Sequence, residues 1–147
     1  MITAIAHIGI TVSNLEQSVL FYRCILGLQY LGEMKMGGEE TARLFGRSRC
    51  EARVAYLQAD AAPQVELIQF TSTDPEKGRP NLFRTSISEL CFSTDNIDLD
   101  YQRLKDMGVR FLSEPQTFDS TAYGFGKSRA VYFYDPDDNI LELIQTL

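Results

Sequence analysis

The sequence has no hydrophobic run that approaches the roughly 20 residues needed to span a bilayer as a helix. It also has no surplus of positive charge, since 14 Lys and Arg against 20 Asp and Glu give a formal net charge of −6. A chain of this sign repels phosphate backbones unless it carries a local basic stripe, and the sequence contains none. The start, Met1–His7, lacks the basic segment and cleavage site of a signal peptide and is typical of a strand. We therefore expect a soluble, cytoplasmic protein that binds neither nucleic acid nor a membrane.

The sequence has few cysteines, and no two of them are close together. Cys24, Cys50 and Cys91 are odd in number and widely separated, which excludes a disulfide framework and argues against a thiolate zinc site. Small hydrophobic thiols are usually buried and reduced, so this pattern predicts three buried free cysteines.

What the sequence does contain is an internal repeat. The same four letters, ELIQ, occur at Glu66–Gln69 and Glu142–Gln145. Upstream of each, an alternating segment leads into an amphipathic stretch that ends at a glycine, Gly27 in the first half and Gly108 in the second. Four features in the same order indicate a tandem duplication. At 147 residues and ordinary composition, the chain has the size of one globular domain made of two small modules.

We therefore predict an α+β fold in which each half forms a strand, a helix and three further strands, a βαβββ module. One domain spans residues 1–147, with a first module at 1–70, a linker at 71–84 and a second module at 85–147. Helix starts are predicted at Ser13, in a capping box with Glu16, and near Thr94 or Asp95. The predicted strands are His7–Val12, Leu28–Glu33, Arg49–Leu57, Gln64–Phe70, Ile87–Ser93, Val109–Leu112, Arg129–Tyr134 and Ile140–Thr146.

Three connecting segments carry local signals. Glu39–Phe45 is predicted as a short additional helix, and Asp135–Asn139 as a turn, because proline fixes φ and Asp or Asn tolerates left-handed geometry. Ser113–Ser128 is predicted as a long loop with the character of a lid, since long loops in compact domains are often functional. Tyr132 and Tyr134 share one strand face, where they line a pocket or belong to the core.

Duplication brings four polar residues to matched positions. His7 corresponds to Glu89, and Glu66 to Glu142. The carboxylates lie in strands with apolar residues on both faces, and burying an ionised carboxylate without a cation, metal or proton is costly. A single strand Glu can also be an edge residue that faces water, and a lone His a structural one. The joint pattern favours a shared polar site.

Strand–helix modules that begin HIGITV and end DPDDNILELI resemble the vicinal oxygen chelate superfamily, from Ile5 to Gln145. This group includes glyoxalase I, methylmalonyl-CoA epimerase, extradiol dioxygenases and bleomycin-binding proteins. The resemblance implies two βαβββ modules whose curved mixed sheets surround a funnel with one divalent metal ion at its bottom.

Carried over position by position, the resemblance implies metal ligands at His7, Glu66, Glu89 and Glu142. Glu89 departs from the pattern, because the glyoxalase and epimerase branches usually have His there. One imidazole and three carboxylates form a harder site, which favours Mg, Mn, Fe(II), Co or Ni over Zn, although the sequence leaves the ion unidentified. By the same resemblance Glu142 is the first candidate for the base and Glu66 the second.

The implied activity is metal-dependent proton transfer on a small oxygen-chelating substrate, as in a glyoxalase I-like lyase or an acyl-CoA epimerase-like isomerase. A single His excludes the two-His sites of extradiol dioxygenases and fosfomycin transferases. A non-catalytic, drug-sequestering protein of the bleomycin-resistance type is the alternative. Duplicated modules with exposed edge strands also predict a homodimer, with Ile5–Ile10 near the partner module.

Overall fold

The structure is a computed structural model that describes residues 1–60, 62–76, 78, 81–83 and 85–147. The chain divides into two compact units, Met1–Lys77 and Gly78–Leu147. Each unit holds one four-stranded sheet. Part of the linker predicted at 71–84 lies outside the described residues, namely Lys77, Arg79, Pro80 and Arg84.

The described residues of the first unit form four strands and two α-helices. Its sheet has the order β1-β4-β3-β2, in which β1 is parallel to β4 and the other pairs are antiparallel. The short helix predicted at Glu39–Phe45 is confirmed as α2. The elements are β1 (His7–Thr11), α1 (Leu15–Leu20), β2 (Gln29–Met36), α2 (Gly38–Leu44), β3 (Ala52–Gln58) and β4 (Gln64–Phe70).

The second unit repeats this arrangement. Its sheet has the order β5-β8-β7-β6, again with the first strand parallel to the last. The elements are β5 (Leu90–Ser93), α3 (Ile97–Asp106), β6 (Gln116–Asp119), β7 (Lys127–Tyr134) and β8 (Ile140–Thr146), with a 3₁₀ turn at Thr121–Tyr123 between β6 and β7. Two mixed sheets with few helices, in duplicated modules, confirm the predicted α+β fold.

Each sheet uses one face for its core and leaves the other for polar groups. In β4, Val65 and Leu67 are buried, whereas Glu66 between them is partly exposed on the opposite face. In β8, Leu141 and Leu143 are buried in the same way. Period-two alternation in the sequence therefore predicted which face each glutamate occupies.

The second unit differs from prediction at its edge strand. Val109–Leu112 is not a strand, because only Phe111 forms a bridge there, with Phe133 of β7. Pairing resumes at Gln116, just after Pro115, which has no N–H to donate to a sheet. The edge strand β6 thus lies inside the segment predicted as a long loop at Ser113–Ser128.

The first helix begins one residue later than predicted and ends earlier. The side chain of Asn14, not Ser13, caps α1 by accepting a hydrogen bond from the Gln17 amide at 2.9 Å. The capping box fails because Glu16 is committed elsewhere, accepting a hydrogen bond from Arg53 of β3 at 2.5 Å. After Leu20 the chain continues as a π-helical turn over Phe21–Ile25. Its backbone hydrogen bond runs from the Leu26 amide to the Phe21 carbonyl, five residues earlier.

The helix of the second unit starts in the same manner. Asn96, and not Thr94 or Asp95, caps α3 through a 3.0 Å hydrogen bond from the Leu99 amide. Arg129 of β7 binds Asp98 of α3, in the place where Arg53 binds Glu16 in the first unit.

The last residue of each ELIQ segment fastens a helix to its sheet. In the first unit, the Gln69 side chain accepts a hydrogen bond from the Leu15 amide at 3.3 Å and donates one to the Ser13 carbonyl at 3.1 Å. Gln145 makes the same pair of bonds, to the Ile97 amide at 3.1 Å and the Asp95 carbonyl at 2.8 Å. The first N–H groups of a helix have no partner within the helix. Because Leu15 is fully buried, the Gln69 side chain accepts its N–H in place of water.

Gln69→Ala is expected to lower the free energy of unfolding by about 1–3 kcal/mol, because it removes the side chain that accepts the N–H of the buried Leu15. Urea denaturation followed by circular dichroism measures this loss. Gln102→Ala removes an exposed glutamine from α3 and serves as the control, with a change within about 0.5 kcal/mol. Equal stability of the two variants would contradict the role given to Gln69.

The cysteine prediction is wrong at two of three positions. Cys50 is buried, but Cys24 and Cys91 are exposed, and all three are free. Both exposed cysteines belong to elements that have a polar side, the π-helical turn and β5. In the part of the chain that the structure describes, no helix is long and apolar enough to cross a membrane.

Candidate functional site

Glu66 lies at the centre of a polar row that crosses the sheet of the first unit. It is paired with Gly9 of β1 on one side and with Tyr56 of β3 on the other. Residues directly opposite each other in neighbouring strands project from the same face. Strand pairing thus brings Glu66 and Tyr56 together from positions far apart in the sequence.

The Glu66 carboxylate has a different neighbour at each oxygen. Its Oε1 accepts a hydrogen bond from the Tyr56 hydroxyl at 2.6 Å. Its Oε2 lies 3.5 Å from Nε2 of His7, at the start of β1. The Glu66 side chain is only 12% exposed, whereas the His7 side chain is 47% exposed. The carboxylate is therefore held in place from two sides, with the imidazole on its solvent side.

The hydrogen bond between Tyr56 and Glu66 changes the acidity of the phenol. Donation to Glu66, followed by burial and by the charge of the carboxylate, raises the pKa of Tyr56 to about 12. Ionising Tyr56 would remove its proton and place two negative oxygens side by side. The phenol accordingly remains a hydrogen-bond donor throughout the neutral range.

Gly9 gives the Glu66 carboxylate room. A Cβ atom placed on Gly9 would lie 3.3 Å from Oε2 of Glu66 and 3.6 Å from the Ile68 side chain. The first of these distances is tighter than an ordinary carbon–oxygen contact. The absence of a side chain at this position therefore leaves space next to the oxygen that faces His7.

A shallow groove of about 300 Å³ begins at Tyr56 and extends along the edge strand β2. The strand bulges between Tyr30 and Gly32, which places Gly32 opposite Tyr56. Leu31 and Met34 leave apolar surface exposed there, at 42% and 47%. The lining residues are Leu31, Gly32, Glu33, Met34, Tyr56 and Gln64.

Glu142 occupies the equivalent place in the second unit, with a different neighbour. It is paired with Tyr132 of β7 and with Cys91 of β5, which takes the position of Gly9. Although Cys91 is exposed as a residue, burial of its thiol raises its pKa to about 12, helped by a hydrogen bond to Glu142. The charges of Glu142 and Glu89 add to this effect. A thiol thus stands beside Glu142 at the position where Glu66 has a glycine beside it.

Glu89 lies one residue before β5 and not within a strand as predicted. The strand begins only at Leu90, where pairing with Leu141 of β8 starts. The negative charges of Glu89 and Glu142 both contribute to raising the pKa of Tyr132, after burial as the main cause. Glu89 therefore shares its surroundings with Glu142 inside the second unit.

The predicted metal ligands fall into two pairs, His7 with Glu66 in the first unit and Glu89 with Glu142 in the second. Two donors bound to one ion at 2.0–2.2 Å are separated by about 2.8–3.6 Å. The 3.5 Å between Nε2 of His7 and Oε2 of Glu66 lies in this range. Imidazole nitrogen and carboxylate oxygen also suit divalent first-row metals. Within the described residues of either unit, no three His, Cys, Asp or Glu side chains form a ligand cluster.

Sequence reasoning missed two residues of these surroundings, Tyr56 and Cys91. A signal for the first was present, because Tyr56 precedes Glu66 by ten residues, as Tyr132 precedes Glu142. The sequence does not decide whether Tyr132 lines a pocket or belongs to the core. In the structure it lies on the same face as Glu142. Cys91 gave no signal, since its match in the first half is a glycine.

Comparison with known proteins identifies the family of the chain and a relative with a named activity. Residues 4–143 match the model of the Glyoxalase/Bleomycin resistance protein/Dioxygenase superfamily. A 2-epi-5-epi-valiolone epimerase from an Actinomyces species is 28% identical over 145 residues, covering 96% of this chain and 78% of that protein.

Solved structures share the fold at low identity. A glyoxalase family protein from Bacillus cereus aligns with a TM-score of 0.84 and 20% identity, covering 100% of this chain and 96% of that one. TnmS3, an antibiotic binding protein from Streptomyces sp. CB03234, aligns with a TM-score of 0.67 and 22% identity, covering 99% and 98%. Since the family model covers nearly the whole chain, the protein belongs to the glyoxalase/bleomycin resistance protein/dioxygenase superfamily.

Proposed function

We propose that the protein is a metal-dependent proton-transfer enzyme of the epimerase type, acting on a small substrate that chelates through oxygen. One observation carries this proposal. Each unit places a glutamate at the same register of its last strand, Glu66 or Glu142, opposite a tyrosine of the neighbouring strand, Tyr56 or Tyr132. A duplicated carboxylate of this kind suits a reaction that needs two acid–base groups.

Epimerisation next to a carbonyl removes a proton from one face of a carbon and returns a proton to the other. Glu142 is proposed as the group that takes the proton, and Glu66, protonated transiently by solvent, as the group that delivers one. Transfer by positioned side chains contributes about 10²–10⁴-fold to such a step. After each turnover Glu142 holds the proton that it removed and Glu66 has lost one, so both exchange protons with solvent before the next turnover in the same direction. The roles reverse for the opposite epimer.

We propose that His7, Glu66, Glu89 and Glu142 bind one divalent ion, with Mn, Ni, Co, Fe, Mg and Zn as candidates. Members of the superfamily typically bind such an ion. When bound, it would supply Lewis-acid polarisation of the substrate carbonyl oxygen. Support from this chain comes from the separation of His7 and Glu66 and from the hard, anionic donor set.

The named activity of the Actinomyces relative supports an epimerase over a lyase. The cytoplasmic location and the homodimer expected from the sequence stay part of this proposal. The substrate is taken to be a polar ketone of low molecular mass, because the groove beside Tyr56 is shallow and about 300 Å³ in volume.

The test combines metal loading with hydrogen exchange. The purified protein, loaded with Mn²⁺ or Co²⁺, is incubated with 2-epi-5-epi-valiolone in D₂O. Deuterium should appear at one carbon next to the carbonyl, and removal of the metal with EDTA should abolish its uptake. Mass spectrometry and NMR locate the label. Metal-loaded protein that binds the compound but exchanges no proton would overturn the assignment of epimerisation.

Sequestration of a drug-like ligand is the second candidate. It is favoured by the exposed apolar groups of the groove, Leu31 and Met34, and by the similarity in fold to an antibiotic binding protein. The same D₂O experiment separates the two functions. A sequestering protein would bind with or without metal and would leave every carbon-bound hydrogen of its ligand in place.

A further inference from the structure

The two oxygens of Glu66 are not equivalent in their surroundings. Oε1 accepts the Tyr56 hydroxyl at 2.6 Å. Oε2 lies 3.5 Å from Nε2 of His7 and above the bare backbone of Gly9, at 3.3 Å from where a Cβ would stand. Oε1 therefore accepts a hydrogen bond from the neighbouring strand. Oε2 faces His7, with no side chain at Gly9 beside it.

A glutamate carboxylate has little intrinsic preference in its last torsion, which links an sp³ to an sp² carbon and is broad. Free to rotate, it would exchange its two oxygens and change the direction of its lone pairs. A hydrogen bond from a hydroxyl to an ionised carboxylate at 2.5–2.7 Å belongs to the stronger class of such bonds. The contact from Tyr56 lies in that range and opposes rotation.

Tyr56 is itself held firmly. It pairs with Glu66 and with Gly32 through the central strand β3, and its ring meets the His7 ring edge-on at a centroid distance of 6.3 Å. One tyrosine thus contacts both His7 and Glu66, which are the two proposed ligands of the first unit.

We propose that Tyr56 is a positioning residue, which fixes Oε1 of Glu66 so that Oε2 alone is presented beside His7. The inference rests on the proposed function in one respect, since the species that Oε2 meets is taken to be the divalent ion. Groups that orient metal ligands in this way typically contribute 10–100-fold to metal affinity.

The second unit offers a matched comparison. Tyr132 stands opposite Glu142 just as Tyr56 stands opposite Glu66. Among the described residues, however, no hydrogen bond joins the Tyr132 hydroxyl to Glu142, and Cys91 stands on the other side of Glu142 where Gly9 stands beside Glu66. Removing the Tyr132 hydroxyl should accordingly leave the orientation of Glu142 unchanged.

The experiment measures Co²⁺ binding to wild type, Tyr56→Phe and Tyr132→Phe by calorimetry and visible absorption. We expect Tyr56→Phe to raise the Kd about 10–100-fold and to change the d–d spectrum. Tyr132→Phe should stay within about twofold of wild type. A merely structural role for Tyr56 would lower the melting temperature without changing the spectrum. A Tyr56→Phe protein with wild-type Kd and spectrum would overturn the inference.

A measurement without metal separates this inference from the proposed function. In ¹³C-glutamate-labelled apoprotein, Tyr56→Phe should shift the carboxyl resonance of Glu66 and leave that of Glu142 in place. An unshifted Glu66 resonance refutes the role of Tyr56 even if wild type binds Co²⁺. A shifted resonance in a protein that binds no Co²⁺ refutes the metal site alone. If Tyr56→Phe does not fold, the Tyr56 hydroxyl proton of wild type must resist exchange with water, and rapid exchange overturns the inference.

Discussion

Replacement of Glu142 by glutamine is expected to lower turnover by about 10²–10⁴-fold, the contribution of a positioned general base. The amide has the size of the carboxylate, but it cannot take up a proton as a general base does. Because Glu142 is also a proposed metal ligand, the variant is assayed at a saturating concentration of the metal ion, where substrate affinity should change far less than kcat. Steady-state rates and deuterium uptake measure the two effects separately.

Glu66→Gln tests the second half of the same mechanism. If each glutamate removes the proton of one epimer, either variant should lose epimerisation. It should still exchange the proton of the epimer on which the remaining glutamate acts. Glu114→Gln changes an exposed glutamate in the loop before β6 and serves as the control. Full turnover in either Glu66→Gln or Glu142→Gln would exclude that residue from proton transfer.

The second large effect is expected at Asp135, where alanine should lower the free energy of unfolding by about 2–4 kcal/mol. This carboxylate is 2% exposed and organises the turn between β7 and β8. Its Oδ1 accepts the amides of Asp137 and Asn139 at 2.9 and 2.8 Å, and its Oδ2 accepts the Asn139 side chain at 2.8 Å. Without it, Asp138 would keep its left-handed φ of 66° with less support.

Urea denaturation monitored by circular dichroism gives the free energy of unfolding of Asp135→Ala. Asp135→Asn should lose less, since its amide oxygen can still accept one or two of these bonds. Asp74→Ala, at an exposed position in the segment after β4, should stay within about 0.5 kcal/mol of wild type. If Asp135→Ala were as stable as Asp74→Ala, the hydrogen bonds of Asp135 in this turn would not stabilise the fold.

The predictable part of the fold is the part determined by local patterns. Alternation along β4 and β8 and the repeated ELIQ segments predicted two modules, and the structure contains them. The edge strand of the second unit was misplaced because Val109–Leu112 is apolar enough for a strand, while pairing with β7 resumes only beyond Pro115. The capping box was misplaced because Arg53, distant in sequence, takes Glu16.

The candidate site likewise has one part that local sequence patterns predict and another that they do not. The faces of Glu66 and Glu142 follow from period-two alternation, and in the structure each lies on the face of its own sheet opposite the buried leucines. The contact between Tyr56 and Glu66 depends on which residues stand opposite each other in β3 and β4. That register is set by the length of the turn between these strands, which local propensity does not determine. Glu89 was assigned to a strand because its apolar neighbours continue the pattern of β5.

The ELIQ segment has a consequence for insertions and deletions. Glu66 and Gln69 are three positions apart, so they project from opposite faces of β4, one to the polar row and one to the start of α1. One residue added or removed between them would make the separation even and turn both side chains to the same face. Helix anchoring and carboxylate placement would then compete for a single side of the strand. Length variation should therefore be tolerated in the connections of each unit and rejected within these four residues.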